Sequence, residues 1–256
     1  MSEYIISDIH GNADRFHKML LDRINIDFSK DTLYINGDIV DRGKDSIKLL
    51  FEIIDLKIKY GDHVVLIKGN HEHFLERYIY GIMPHTDIAT FRPLDESKYA
   101  SRGYGGTDTI REVKALSDEE KKLLLKYINE FEHYVEVDSP KRGKMVIVHS
   151  GLHYDHIVMN EDRTINVIKS VEQGLSASEN DFLISGFLQR EAPVWVTKSL
   201  DKVMVVGHVP CMFILDVQMP IITMKHNVIM TDCGSGYPCG RLGCLRIEDE
   251  KTYYVE

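Results

Sequence analysis

The amino-acid sequence predicts an α/β fold with a parallel sheet in its first third. Short apolar runs there alternate with stretches whose apolar residues recur at helical spacing. Strand–helix–strand units of this kind give parallel strands joined by right-handed crossovers. With 256 residues the chain is long enough to bury a full core, and no repeat or linker-like stretch divides it. We therefore expect a single domain over residues 1–256.

The first three strands are predicted at the apolar runs, residues 4–6, 33–35 and 64–67. Apolar positions between these runs follow the helical period. They are Phe16, Met19, Leu20 and Ile24 after the first run, and Ile47, Leu50, Ile53, Ile54 and Ile58 after the second. Each interval has room for one crossover helix and the next strand, so the strand ends fall side by side.

The middle of the chain departs from this alternation. Residues 81–107 carry prolines and glycines among polar residues, which predicts a loop-rich, lid-like insertion. The segment 117–120 reads Ser-Asp-Glu-Glu, a capping box that opens a helix. Residues 134–137 and 144–148 predict a hairpin. Further strands are expected at 203–206 and, in antiparallel pairing, at 228–230, 243–247 and 252–255.

The charge balance limits the classes of partner. The formal net charge is -9 and the sequence pI is about 5.7, whereas nucleic-acid binders normally present a basic face. An anionic substrate would therefore need a local positive site. The first residues lack the basic and then apolar pattern that is typical of a signal peptide. No apolar run approaches the length of a membrane span. We expect a cytoplasmic protein without nucleic-acid or membrane partners.

The four cysteines lack paired spacing. Cys233, Cys239 and Cys244 lie close together in sequence, which leaves a thiolate zinc site open as an alternative. Reduced thiols packed near the last strands fit a reducing compartment better.

Side chains that bind hard metal ions follow five of the apolar runs. The segments are Asp8-Ile9-His10-Gly11, Gly37-Asp38-Ile39-Val40-Asp41-Arg42-Gly43, Gly69-Asn70-His71-Glu72 and the single histidines His149 and His208. Because the carboxyl ends of neighbouring parallel strands meet at one crevice, these side chains should converge. One such residue alone would be a turn or a structural histidine. The repetition predicts a metal site, with room for two ions.

The residue types fit divalent ions bound by oxygen and nitrogen. Asp8 and His10 lie two positions apart, so on an extended strand end they point the same way. The two oxygens of Asp38 could bridge two ions. We expect two divalent ions, with Mn²⁺ as first choice and Fe, Zn, Co or Mg as alternatives. Such a pair would lower the pKa of a bound water and supply hydroxide for direct attack on phosphorus.

Two further residues suit phosphate chemistry. Arg42 can bind phosphate oxygens through its guanidinium group. His71 follows Asn70 and could protonate the leaving oxygen. Either Asp41 or Glu72 could orient His71 and raise its pKa.

These segments resemble the phosphoprotein phosphatase branch of the calcineurin-like metallophosphoesterases, most closely its bacterial and bacteriophage serine/threonine phosphatases. The matches span positions 7–208. The resemblance implies a β-sandwich of two mixed sheets flanked by helices, with the metals at one edge. It implies that Asp8, His10 and Asp38 hold one ion, and that Asp38, Asn70, His149 and His208 hold the other.

The same resemblance implies roles for the remaining residues. Arg42 would bind phosphate, and His71 would be the general acid supported by Asp41. The family has a second phosphate-binding arginine between the two late histidines. The segment 187–191 reads Phe-Leu-Gln-Arg-Glu and is similar to it, although Leu188 stands where the family has Trp. Arg190 is therefore expected in that role.

The expected activity is hydrolysis of phosphate monoesters, with protein phosphoserine or phosphothreonine as the first substrate. The alternative is a dinucleoside polyphosphate, diadenosine tetraphosphate above all, because a sister family uses the same metal centre. A third hypothesis is a non-catalytic scaffold that binds a phosphorylated partner.

Overall fold

Two five-stranded mixed sheets form the centre of the protein. The structure is a computed structural model that describes residues 1–83, 92–185, 193–214 and 217–256. The first sheet contains β1 Glu3–Ile6, β2 Thr32–Asn36, β3 Val64–Ile67, β9 Leu242–Arg246 and β10 Thr252–Val255, in the order β10-β9-β1-β2-β3. The second contains β4 Tyr134–Ser139, β5 Gly143–Val148, β6 Val203–Val206, β7 Thr223–Lys225 and β8 Val228–Met230, in the order β4-β5-β6-β8-β7.

Helices connect and cover the sheets. In the described residues they are α1 Ala13–Lys18 with a π-helical continuation Met19–Arg23, α2 Ser46–Tyr60, α3 Asn70–Ile82, α4 Glu96–Tyr99, α5 Thr107–Ala115, α6 Asp118–Asn129, α7 Val167–Ala177, α8 Glu179–Ser185 and α9 Val194–Ser199. Short 3-10 turns lie at Gly61–His63, Tyr154–His156 and Cys211–Phe213. No helix in the described ranges is both long and apolar enough to cross a membrane.

The predicted parallel unit is confirmed in the first sheet. β1 and β2 pair in parallel, as do β2 and β3, while β9 and β10 add antiparallel strands at the other edge. In the second sheet β5, β6 and β8 are parallel, and the predicted hairpin of β4 and β5 is confirmed. The prediction that all tail strands pair in antiparallel fashion is wrong for β8, which is parallel to β6 and antiparallel only to β7.

Side-chain alternation explains why the strands read as continuous apolar runs. Ile5 of β1 faces Ile147 and Val205 of the second sheet, within the core between the sheets. Ile6 points the other way, into the core under the helices, because successive side chains of a strand alternate. Val146 of β5 likewise faces a third core on the outer side of its sheet. Burial on both faces removes any polar–apolar alternation from the sequence.

The segment 81–107 is more structured than predicted. α3 continues to Ile82, and the short helix α4 follows residues 84–91, which lie outside the described residues. Tyr99 at the end of α4 is fully buried and fixes this segment to the main core. The predicted capping box is confirmed, since the Ser117 hydroxyl accepts the Glu120 N–H and the Glu120 carboxylate accepts the Ser117 N–H.

Candidate metal centre

The predicted metal-ligand side chains meet at the carboxyl ends of strands from both sheets. Asp8 follows β1, Asp38 follows β2, and Asn70 opens α3 directly after β3. His149 and His208 follow β5 and β6 of the second sheet. The predicted convergence therefore does not arise from neighbouring strands of one sheet, because the donors come from two sheets whose parallel strands end on the same side.

The carboxylate of Asp38 lies at the middle of the cluster. Its Oδ2 is 3.9 Å from His10 Nε2 and 3.8 Å from His71 Nε2, while its Oδ1 is 3.2 Å from His149 Nε2. Two groups of donor atoms result, each within 4.8 Å, and both include Asp38. One group adds His10 and His71, and the other adds His149 and His208.

Asn70 completes the second group with a neutral oxygen. Its Oδ1 lies 3.0 Å from His149 Nε2 and 2.7 Å from His208 Nδ1. A carboxylate shared between two clusters of imidazole and amide donors suits two adjacent divalent ions bound by oxygen and nitrogen. The donor set therefore fits the metal pair that the sequence predicts.

Backbone carbonyls orient the imidazoles of this cluster. His10 Nδ1 lies 3.0 Å from the Val40 carbonyl, and His149 Nδ1 lies 2.8 Å from the Asn36 carbonyl. The carbonyl of Ile184 hydrogen-bonds the His208 ring. A ring nitrogen that donates to a carbonyl leaves the other nitrogen as a lone-pair donor, which is how metal-binding histidines are held.

The backbone of the site is strained. Six of its residues have positive φ, a region that side chains other than glycine rarely adopt: Asp8 at 54°, His10 at 53°, Asp38 at 54°, Asp41 at 71°, Arg42 at 67° and His208 at 69°. The buried Glu72 carboxylate stabilises this geometry by accepting hydrogen bonds from the N–H groups of Asp38, Ile39 and Gly69 at 2.7–3.0 Å.

Two glycines permit the close approach of these loops. A Cβ at Gly69 would lie 2.3 Å from Asp38 Oδ1, and one at Gly207 would lie 2.4 Å from Asp8 Oδ2. A larger residue at either position would displace a carboxylate of the cluster.

Asp8 contacts the cluster differently from the other predicted ligands. Its carboxylate accepts the His208 N–H at 3.0 and 3.2 Å, and it belongs to neither group of mutually close donors. Burial, together with the nearby carboxylate of Asp232, raises the pKa of Asp8 well above its ordinary value. Burial also raises the pKa of Asp232 to about 6. Crowded, buried carboxylates of this kind favour a bound cation.

His71 forms a buried chain with an aspartate and a tyrosine. His71 Nδ1 is 2.7 Å from Asp41 Oδ2, and the Tyr99 hydroxyl donates to Asp41 Oδ1 at 2.7 Å. Burial lowers the pKa of His71, but Asp38 and Asp41 outweigh it and raise the pKa above its ordinary value. Of the two carboxylates considered from the sequence, Asp41 orients His71, whereas Glu72 binds backbone.

Arg42 lies beside this chain. The backbone N–H of Arg42 donates to the Gly105 carbonyl at 2.9 Å. The guanidinium lies 4.9 Å from the centre of the Tyr237 ring, and its Nη1 donates to the Tyr237 hydroxyl. Within the described part of the chain, no carboxylate pairs with Arg42, and its Nε has no hydrogen-bond partner. The guanidinium therefore keeps donors for an anion.

The Asp38 carboxylate and the imidazoles around it shift one another's pKa. Burial alone would raise the pKa of Asp38, but His149 and His71 hold it well below its ordinary value. Burial alone would lower the pKa of His149, but Asp38 raises it to about 10. Burial and His149 lower the pKa of His208 to about 4.

Sequence reasoning missed three residues of the site. Asp232 follows β8 as the predicted ligands follow their strands, so the same signal would have found it. Tyr99 and Tyr237 come from distant segments without a recurring pattern, and nothing in the sequence marks them. Arg190 and its segment 187–191 lie outside the described residues. The cysteines are free thiols, and the described residues hold no group of three metal-binding side chains that includes one.

A family model described as calcineurin-like phosphoesterase matches residues 1–212. The chain belongs to the calcineurin-like phosphoesterase family. Its resemblance to this family, inferred from the motifs, is therefore confirmed, and so is the predicted fold of two mixed sheets flanked by helices.

Two curated relatives illustrate the range of this phosphoesterase family. The symmetrical bis(5'-nucleosyl)-tetraphosphatase of Sodalis glossinidius is 36% identical over 126 residues, which are 49% of this chain and 42% of the relative. The serine/threonine-protein phosphatase rdgC of Drosophila melanogaster is 24% identical over 170 residues, which are 66% of this chain and 20% of the relative. The matched regions thus cover less than half of these relatives' own lengths.

Solved structures with this phosphoesterase fold cover nearly the whole chain. A candidate diadenosine tetraphosphatase aligns with a TM-score of 0.60 at 17% identity, over 99% of this chain and 92% of that one. A protein serine/threonine phosphatase from Saccharomyces cerevisiae aligns with a TM-score of 0.57 at 13% identity, over 97% and 73%. At these identities the likeness concerns the fold alone.

Proposed function

We propose that this protein is a metal-dependent hydrolase of phosphoesters. The observation that carries the proposal is the shared Asp38 carboxylate between two groups of donor side chains. The metal ligands would be Asp8, His10, Asp38, Asn70, His149 and His208. Two bound divalent ions would supply charge for the phosphoryl oxygens and a water of lowered pKa as the nucleophile. Mn²⁺ is our first choice, since every donor is oxygen or nitrogen.

The chain's own residues supply binding and proton transfer. Arg42 would bind the phosphoryl oxygens, because its free donors lie beside the cluster and Tyr237 fixes its position. His71 would donate the proton from its Nε2 to the leaving oxygen, since its Nδ1 is held by Asp41. Arg190 remains the proposed second phosphate-binding arginine.

The first proposed substrate is a phosphoserine or phosphothreonine side chain of another protein. We propose that the reaction takes place in the cytoplasm. Likeness to the motifs of serine/threonine phosphatases and the family membership of rdgC support it. The second candidate is diadenosine tetraphosphate, supported by the higher identity to the Sodalis glossinidius relative. A non-catalytic scaffold is disfavoured because the metal-ligand set, Arg42 and the His71–Asp41 pair are all present.

The test combines metal analysis with a substrate panel. The purified protein would be analysed for bound metals and assayed with Mn²⁺ on p-nitrophenyl phosphate, a phosphoserine peptide and diadenosine tetraphosphate. We expect about two metal ions per chain and hydrolysis that a chelator abolishes. Faster turnover of the dinucleotide than of the peptide would favour the second candidate. Absence of hydrolysis of all three substrates in metal-loaded protein would overturn the proposal.

A further inference from the structure

A polar groove beside the candidate metal centre carries three cationic side chains. Arg77 on α3, Arg92, and Lys98 on α4 line it, together with Tyr104, Asn180 and Ile184. In the described part of the chain, none of these three cations forms an ion pair with a carboxylate. Cations gathered in one groove without a carboxylate partner among the described residues, in a protein with a formal net charge of -9, indicate an anionic ligand.

The groove adjoins the metal centre on two sides. On one side the carbonyl of Ile184, a lining residue, hydrogen-bonds the ring of His208. On the other side the ring of Tyr104 packs on Phe74 with centroids 4.5 Å apart, and Phe74 packs on His71 at 5.4 Å. A substrate held at the cluster could therefore extend into the groove.

Arg77 is held in position to bind an anion. Its Nε donates to the Arg92 carbonyl at 2.8 Å, and its Nη1 donates to Asn180 Oδ1 at 2.9 Å. These bonds fix the guanidinium and leave Nη2 for a ligand, which reduces the entropy lost on binding. Lys98 lies 5.7 Å from the centre of the Tyr104 ring, on the same wall.

The carboxylate that also lines the groove is neutralised by other groups. Glu179 Oε1 lies 2.9 Å from Lys68 Nζ and 2.9 Å from His133 Nε2. It therefore opposes an anion less than a free carboxylate would. Most of the described lining side chains are polar or charged, which suits a phosphate chain better than the hydrophobic side chains of a peptide.

We propose that this basic groove binds a second phosphate group of the substrate, as part of a polyphosphate chain whose reacting phosphate lies at the metal centre. The inference rests on the proposed function, and it favours the dinucleoside polyphosphate over the phosphoprotein. Arg77 and Lys98 would be specificity-determining residues. The chemical class of ligand is a nucleotide polyphosphate.

The test compares substrates with and without a second phosphate. Wild-type protein, Arg77→Gln, Lys98→Gln and the control Lys122→Gln on the exposed face of α6 would be assayed on diadenosine tetraphosphate and p-nitrophenyl phosphate. Because each groove variant removes a hydrogen bond to a charged phosphate group, we expect it to raise KM for the dinucleotide about tenfold more than KM for the aryl ester. Lys122→Gln should leave KM unchanged for both substrates.

Several outcomes would overturn the inference. Equal KM changes for both substrates, or a groove variant that behaves as Lys122→Gln does, would remove the second-phosphate site. A peptide with one phosphoserine flanked by glutamates belongs in the panel. If the groove variants raise KM only for that peptide, the groove binds acidic peptides and the polyphosphate proposal is overturned.

A binding measurement separates this inference from the proposed function. Titration calorimetry with a methylene-bridged, non-hydrolysable diadenosine tetraphosphate needs no turnover. If wild-type protein hydrolyses nothing but binds this analogue about tenfold more tightly than Arg77→Gln does, the proposed function fails and the groove stands. If hydrolysis of the aryl ester is normal and the analogue binds both proteins equally, the groove proposal fails alone.

Discussion

Two clusters of buried ionisable groups lie next to each other in this protein, and they are balanced differently. In one, Lys68 donates to Glu76 at 2.8 Å and to Glu179 at 2.9 Å, so its positive charge meets carboxylates directly. In the other, the ion-pair partners of Asp38 in the described residues are imidazoles. Only one residue, Gly69, separates Lys68 from Asn70 along the chain.

The difference separates a structural role from a functional one. A carboxylate paired with a buried lysine needs no further cation. Around Asp38 the neighbouring groups are instead imidazoles, which can bind a divalent ion as neutral donors, and such an ion would supply the positive charge. The second arrangement is typical of a metal site, and the first is typical of a buried ion pair that fixes two segments together.

Removal of the Asp38 charge should have the largest effect. Asp38→Asn keeps the shape of the side chain but removes the charge that both donor groups share. We expect kcat/KM on p-nitrophenyl phosphate to fall by a factor of 10³ or more, with at least one metal ion lost per chain on elemental analysis. The variant Asp55→Asn, on the exposed face of α2, serves as the control. Full activity and metal content in Asp38→Asn would contradict the central position of this carboxylate.

His71→Asn should have the next largest effect and should depend on the leaving group. Without the proton donor, esters of poorly acidic alcohols should slow by about 10²–10⁴. Aryl esters with acidic leaving groups should slow much less, and metal content should stay unchanged. The measurement is a plot of log kcat against leaving-group pKa for both proteins. Parallel lines would argue against proton donation by His71.

Glu179→Gln tests the structurally balanced cluster and should reduce stability rather than activity on p-nitrophenyl phosphate. The hydrogen bond from His133 outweighs burial and, with the charge of Lys68, lowers the pKa of Glu179 to about 2. We expect a loss of about 1–3 kcal/mol in the free energy of unfolding at neutral pH, after allowance for partial exposure.

The pH dependence of this loss has a definite sign. A carboxylate whose pKa is lower in the folded state stabilises the protein above its unfolded pKa, which is about 4.5. The difference between wild type and Glu179→Gln should therefore be constant near neutral pH and shrink as pH falls from about 4.5 towards 2. Urea unfolding at several pH values measures it, with Glu161→Gln as an exposed control. A pH-independent difference would assign the effect to packing.

The sequence identified most of the side chains that the structure brings together in the cluster, and for a physical reason. Each ligand directly follows a strand buried on both faces, and such strands are recognisable as continuous apolar runs. The residue pattern alone did not show the division into two sheets, which came from the family resemblance, because a doubly buried strand looks alike in either sheet. Only the register of backbone pairing distinguishes them.

Partners of the ligands were harder to predict because they depend on three-dimensional contacts. Glu72 directly follows His71 and Asp41 lies in the preceding motif segment, and the sequence left both open as the partner of His71. The structure distinguishes them since Glu72 lies in the first turn of α3 and turns back to the backbone of Asp38. Tyr99 contacts Asp41 from the segment that was predicted to be a loop, where no periodic pattern indicates a buried residue.

Tyr99→Phe should have the smallest effect and tests whether the His71 chain extends beyond Asp41. The variant removes one hydrogen bond to Asp41 Oδ1, while the ring remains packed in the core. Since a hydrogen bond to a charged group contributes about 1.5–3 kcal/mol, part of that loss should appear as reduced stability. The remainder should appear as a decrease of a few fold in kcat, concentrated on esters with poor leaving groups because Asp41 would hold His71 less firmly. If Tyr99→Phe lowers stability while kcat stays unchanged for every ester, the tyrosine anchors α4 and takes no part in orienting the acid.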